Sequence, residues 1–274
     1  MLDLFLNAIA AGILLGGFYA AMTVGLTISF GQLDIVNIAH PAFIVLGSFC
    51  TFVLHEHAGL DPLLACVLLA PAFFCIGIGV YSIYYGSFER RGDESLRGLA
   101  FFFGVDYRLV ETSYIGESIK IGVVGLPFRM LVPFLAALAM AGGIYLYLSK
   151  TFTGRAILAV AQDRLALQLM GADPVRTKQI AFGIGLGTAA VAGSLLIMLG
   201  PVEPSVGRLY IGRIFAIVVL GGMGSIGGTI VAAIILGVVE SMVATFYGPS
   251  WSPAVAFGFL LLTLAIRPSG LFGR

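Results

Sequence analysis

Apolar stretches with few charges recur along the chain at about 4–30, 35–54, 63–88, 130–149, 179–200, 211–247 and 251–266. Most are long enough to cross a bilayer, which takes about 20 apolar residues in a helix. Short polar joints separate them: HEHAGLD (55–61), FERRGDESLR (88–97) and the long KTFTGRAILAVAQDRLALQLMGADPVRTK (150–178). The first stretch, Leu4 to Phe30, is too long for a secretory signal and lacks its basic start, with Asp3 the only early charge; it is predicted to be a permanent first span. Two stretches do not read as simple spans. Residues 98–112 offer only a short apolar helix before Asp106 and Arg108, roughly 12 Å against a core of about 30 Å. Residues 211–247 would make one helix of about 55 Å, but GGMGSIGG (221–228) cuts it. The pattern predicts a short half-helix, a glycine break and a full span there. The predicted fold is therefore an all-α polytopic membrane protein. It is one transmembrane domain over 1–274, a bundle of about eight or nine membrane segments with discontinuous helices.

Composition sharpens this picture. Hydrophobic residues make up 59% of the chain and charged ones 11%, against about 25% charged in soluble domains. Mean hydropathy is +1.04. A soluble enzyme and a disordered chain are excluded. So is a nucleic-acid binder, since 15 Lys and Arg against 14 Asp and Glu leave a net charge of +1 and no basic patch for phosphates. The 37 glycines suit membrane helices that pack backbone to backbone. Cys50, Cys66 and Cys75 lie in apolar runs, and with His40, His55 and His57 they form no metal-ligand spacing, so no metal site is expected.

The break GGMGSIGG contains Gly222-x-Gly224-x-x-Gly227, formally a dinucleotide fingerprint between two apolar runs. The chain has no strand–helix alternation to support that reading. In a membrane, an unwound backbone has to line a cavity or lie inside protein, because lipid cannot satisfy it, and discontinuous helices build many transport sites. The alternative is a tight packing corner. A second break, FGQLDIVNIAHPAF (30–43), crowds Gln32, Asp34, Asn37 and His40 between two apolar runs, with Pro41 placed to start a helix. It is either part of a pathway or a cytoplasmic turn. Candidate pathway residues are therefore Asn37, His40, Gly221, Gly222, Gly224, Ser225, Gly227 and Gly228.

Residues 155–171, RAILAVAQDRLALQLMG, alternate apolar and polar positions at three-to-four-residue spacing. They predict an amphipathic helix of about four turns, ended by Gly171 and the later Pro174. It is too polar to span, and either lies on the lipid surface or offers a face to a cytoplasmic partner, with Arg155, Asp163, Arg164, Leu165, Leu169 and Gly171 the candidate coupling residues. The sequence has no P-loop, nucleophile elbow or HExxH, and its intramembrane carboxylates are sparse, Asp106 and Glu240 being the candidates. A chain with pathway features but no energy-coupling site is expected to borrow its energy.

These segments resemble a known family. GGFYAAMTVGLTISFGQLDIVNIAHPAF, TGRAILAVAQDRLALQLMGADPVRTKQIAF, GRIFAIVVLGGMGSIGGTIVAAIILGVVES and the end RPSGLFGR are similar to the permease subunits of ABC importers for branched-chain (hydrophobic) amino acids. The resemblance implies a multi-pass protein of the bacterial inner membrane. It implies a second permease subunit, two cytoplasmic ATPase subunits that bind the ATP, a periplasmic solute-binding protein and surrounding lipid. The chain itself would carry no cofactor and catalyse no reaction. The resemblance also implies that 155–171 docks on the ATPase. Three departures stand out. The family's Asn-Phe-Ala-His-Gly-Glu is here Asn37-Ile38-Ala39-His40-Pro41-Ala42, which leaves room for amides, urea-like solutes or aromatic acids. The region 98–112 is short where the family has a full span. The cytoplasmic segment lacks the Glu-Ala-Ala signature of other ABC importers. The reading from another class is a stand-alone secondary carrier or channel, with Asp34, Asp106 and Glu240 as its only material for an ion site.

Lys and Arg set the orientation. With 150–178 cytoplasmic, so are 88–97 and the C-terminal tail, and that side carries Arg90, Arg91, Arg97, Lys150, Arg155, Arg164, Arg176, Lys178, Arg267 and Arg274. The other side carries Arg108, Lys120, Arg129, Arg208 and Arg213. Reporter fusions after Lys150 and Pro204 are predicted to report opposite sides, cytoplasmic and periplasmic; both on one side would refute the orientation.

Overall fold

A computed structural model of the chain describes residues 1–33, 39–85, 108–110, 116–160 and 162–273. The expected spans appear as α1 (Leu2–Leu33), α2 (His40–Ala58), α3 (Pro62–Tyr84), α4 (Phe128–Lys150), α7 (Pro174–Leu199), α9 (Ile226–Phe246) and α10 (Ser252–Ile266). Seven helical stretches among the described residues are long and apolar enough to cross a membrane, the last being α10 together with the 3-10 turn before it, Pro249–Ile266. The half-helix is α8 (Val206–Gly221), whose 16 residues reach about 24 Å, short of the hydrocarbon thickness. The short α5 (Phe152–Val160) and α6 (Arg164–Leu169) lie between α4 and α7. The fold is all-α apart from a small exposed hairpin, β1 (Ser118–Ile121) with β2 (Val124–Pro127), antiparallel and turning at Gly122, whose φ is +62°. Most of the doubtful segment 98–112, including Asp106, lies outside the described residues, as does Asn37.

Local chemistry starts and stops the helices. Asp61 and Asp173 each precede a proline in the first turn and accept from a backbone N–H, Leu63 N at 2.8 Å and Val175 N at 2.9 Å. That is the Asp cap followed by proline that a helix start favours. Gly59, at φ +64°, closes α2.

The core is built by backbone approach. A Cβ on Gly16 would sit 2.5 Å from Ile234 Cα, and one on Gly237 would sit 2.5 Å from Gly16 N, so α1 and α9 touch along bare backbone. Gly77 and Gly183 do the same for α3 and α7, and Gly47 with Ala190 for α2 and α7. Buried hydroxyls then join the helices: Thr27 to Thr229 at 2.9 Å, Thr51 to Ser194 at 2.7 Å, and Ser48 donating to Gly193 O at 2.7 Å. Thr23, Thr27, Ser48, Thr51 and Ser194 each also have a carbonyl of the preceding turn of their own helix within hydrogen-bond reach, so the single O–H proton of each has an acceptor within its helix or on the next one.

The loops sort to two ends. Asn7 bonds Val123 O and Gly125 N, placing the start of α1 beside the hairpin. Arg108 exchanges both backbone bonds with Val202 and lies over the Phe52 ring, so the α2–α3 turn and the loop after α7 share that end. At the other end Leu148, Ile157 and Ile226 share one apolar cluster. The C-terminal tail also lies there, against the end of α8. The described loops are thus grouped at the two ends as the Lys and Arg count groups them, with one correction. Arg213 is not a cation of the periplasmic loops: it sits within α8, its side chain 15% exposed and paired with Glu240.

Replacing Gly237 with Val should force α1 from α9 and cost about 1–3 kcal/mol, as overpacking does, whereas Gly79→Val, with open space around it, should be neutral by comparison. Thermal unfolding of the detergent-purified variants checks this: a clearly lower Tm for the first and a near-native one for the second.

Candidate functional site

The glycine break is a helix end and a helix start pressed together. RIFAIVVL is helical, so the formal dinucleotide fingerprint follows no strand and the nucleotide reading falls. Gly222 ends α8 at φ +94° and Gly224 follows at φ +83°, conformations only glycine adopts cheaply. Ser225 caps α9 through Gly228 N at 3.1 Å, and its carbonyl takes the Thr229 hydroxyl at 2.9 Å. A Cβ on Gly221 would sit 2.6 Å from Thr229 Cα. The exposed C-terminal carbonyls of α8 are taken by the chain's own tail: Leu271 N donates to Leu220 O at 2.8 Å and Phe272 N to Gly221 O at 3.3 Å. Met223 and Gly227 are exposed.

His40, fully buried at the start of α2, is held by Met22 O at 3.0 Å from Nε2. Its Nδ1 and the buried Ser29 Oγ have no hydrogen-bond partner among the described residues. Both flank the Gly25–Gly185 contact between α1 and α7: a Cβ on Gly25 would meet His40 Cε1 at 3.1 Å, and one on Gly185 would meet Ser29 Oγ at 2.7 Å. His40 and the break thus approach α1 within a few residues of one another. They do so on different faces, since Gly25 and Thr27 point about 200° apart on a helix.

The coupling segment differs from the expected single helix. Asp163 breaks it, its Oδ1 accepting from Leu165 N at 2.8 Å and Ala166 N at 3.0 Å, so that it caps α6 as a new start. A short acidic side chain favours that role over a helix interior. Gly171 does end the segment. It has φ +82°, and the paired bonds Gly171 N to Gln168 O and Ala172 N to Leu167 O close a Schellman motif. The angle between α5 and α6 encloses a cavity of about 360 Å³, lined by Phe152, Arg155, Ala159, Asp163, Leu167 and Met170 among others. Leu165, Leu169 and Met170 are 68%, 83% and 79% exposed, and Arg155 and Asp163 are exposed beside them. Nothing is described for the side chain of Arg164.

A third constellation was only half legible in sequence. Glu240 of α9 is buried, with Oε1 accepting from Arg213 Nε at 2.9 Å and Oε2 from the Tyr19 hydroxyl at 2.5 Å. Arg213 also donates to Leu209 O at 3.0 Å and lies over the Tyr210 ring at 5.6 Å. The pair joins α8, α9 and α1. In the sequence Glu240 stands as an isolated carboxylate in an apolar run, and the signal for its partner is an arginine, Arg213, within an apolar half-helix.

A multi-pass helical bundle with a broken helix, a charge pair at depth and an apolar face at one end is the build of a membrane transport component. Similarity narrows the class. The family profile for the permease component of the branched-chain amino acid transport system matches residues 8–264, and the chain belongs to that family. It is 30% identical to the high-affinity branched-chain amino acid transport system permease protein BraD of Pseudomonas aeruginosa, over 98% of this chain and 96% of that one. It is 27% identical to the corresponding protein LivH of Escherichia coli over the same shares. It is 37% identical to the permease protein LivM of Salmonella typhimurium, over 43% of this chain and 28% of that one. The alignment with BraD spans 296 positions, more than the 274 residues here, so the relative carries residues that this chain lacks. No solved structure matches.

Proposed function

We propose that this chain is one permease subunit of an ABC importer for branched-chain or other hydrophobic amino acids in a bacterial inner membrane. It pairs with a second permease subunit, is driven by two ATPase subunits that bind the ATP, and receives solute from a periplasmic binding protein. The observation that carries this reading is the near-full-length similarity to BraD and LivH, whose names state that transport. The partial similarity to LivM supports a paired permease of related sequence. Asn37, His40 and the 221–228 break are proposed to border the solute's path, since His40 Nδ1 and the nearby buried Ser29 Oγ find no partner among the described residues.

The coupling face is proposed at α5 and α6. Three large apolar side chains stand exposed at a helix pair beyond the spans, with Arg155 and Asp163 as a polar rim, an arrangement that fits a partner groove. Because Asp163 divides the segment, force from an ATPase would enter through two short helices, with α5 tied to α4 by Thr151, which receives Gly154 N at 2.9 Å.

The double substitution Leu165→Glu with Leu169→Glu is the test. Both side chains are exposed, so insertion and folding should be unaffected, while ATPase co-purification and solute uptake should each fall roughly tenfold or more, as loss of a central apolar anchor does. Normal uptake with full ATPase recovery would show that this face merely lies on lipid.

A further inference from the structure

Arg213 and Glu240 form a charge pair at depth, joined by the Tyr19 hydroxyl. Tyr210, one turn before Arg213, stands edge-on to Phe18 and Tyr19 at centroid distances of 6.1 and 6.4 Å. Phe18 and Tyr19 lie at the midpoint of the 32-residue α1, so the pair sits well inside the hydrocarbon layer. A buried ion pair is a poor staple there, because apolar side chains of equal volume hold helices together at least as well. Ionisable groups at such depth usually face a pathway.

The bonding is asymmetric. Glu240 is fully used, its two oxygens engaged by Arg213 and Tyr19 and its side chain 2% exposed. Arg213 is not. A guanidinium has five N–H donors; here Nε goes to Glu240 and Nη1 to Leu209 O, and no described residue accepts from Nη2. The side chain keeps 15% exposure, beside Leu209, which is 62% exposed on the same face of α8. Lipid tails cannot satisfy that outer edge. A planar, charged donor edge with an aliphatic surface next to it is complementary to one chemistry: a carboxylate attached to an apolar group.

We propose that Arg213, oriented by Glu240 and Tyr19, receives the carboxylate of a hydrophobic amino acid at mid-membrane, and that the Leu209 face of α8 borders the translocation path. This rests on the reading of the chain as an amino-acid importer subunit. Glu240 and Tyr19 are positioning residues. They fix the guanidinium and balance its charge, so the site is neutral when empty and holds the solute's carboxylate through one lost-and-regained hydrogen-bond edge rather than a deep trap.

Two measurements on the assembled transporter test this. The first uses Leu209→Cys in a background with Cys50, Cys66 and Cys75 replaced by Ala. An anionic sulfonate thiol reagent should label position 209 several times faster than a cationic trimethylammonium one, because the partly exposed guanidinium edge of Arg213 is offered on that face while the Glu240 carboxylate is buried behind it, and leucine should slow the labelling. No labelling by either reagent, or a faster cationic reagent, would overturn the proposal. The second uses Arg213→Gln with Glu240→Gln, which keeps hydrogen bonds without charge. ATP hydrolysis stimulated by the binding protein should persist while leucine uptake drops about tenfold or more, the scale of a lost charge-assisted hydrogen bond. Unchanged uptake would leave the pair a staple and refute the proposal. If this double variant does not assemble, the labelling result decides. Failure of the unsubstituted transporter to import leucine would instead refute the importer reading, whatever the labelling at 209 shows.

Discussion

A backbone amide in hydrocarbon has no water to turn to, and each unpaired group costs several kcal/mol. The interruption between α8 and α9 is shaped by that constraint. Where α8 stops, its last carbonyls are answered by Leu271 and Phe272 from the far end of the chain, and α9 restarts under the Ser225 cap. The tail packs so closely that a Cβ on Gly270 would meet Gly222 N at 2.5 Å. The break is therefore a sealed joint whose parts come from residues about 50 apart in sequence, and any movement of α8 has to carry the tail with it. A joint of this kind can transmit displacement between the membrane face and the half-helix without exposing backbone to lipid.

The same constraint explains why glycine and hydroxyl residues recur where the helices meet. Apolar burial gains little inside a bilayer, so association comes from close packing and interhelical hydrogen bonds, the latter worth on average about 0.6 kcal/mol each. α1 is the hub of this arrangement. It meets α9 through Gly12 and Gly16, α7 through Gly25, and α8 and α9 through Tyr19. The charge pair of Arg213 and Glu240 fits poorly among such contacts and reads best as chemistry retained for a solute.

Much of this was legible along the sequence. The apolar runs marked the spans, the glycine cluster at 221–228 marked the half-helix, and Gly171 marked the end of the coupling segment, because each signal is local. Four features were not legible there. The tail that seals α8 pairs across the fold. Arg213 looked like a loop cation until the structure placed it opposite Glu240. Asp163 reads equally as a polar position on an amphipathic helix and as a cap, and only the backbone geometry decides between them. The hairpin at 118–127 is too short and exposed to leave a clear alternation. Of the candidate pathway residues, His40 has an Nδ1 with no partner among the described residues, as does the nearby Ser29 Oγ, and the glycines form one joint with Ser225, while Asn37 lies outside the described residues.

The central claim is that this bundle conducts a solute only on energy supplied by another protein. Reconstitution in liposomes with the second permease, the ATPase pair and the binding protein tests it most directly, by measuring leucine uptake with ATP against uptake with an imposed proton or sodium gradient. The account predicts uptake that needs ATP and the ATPase subunits and ignores the gradient. Gradient-driven uptake by this chain alone, with no ATPase present, would contradict it.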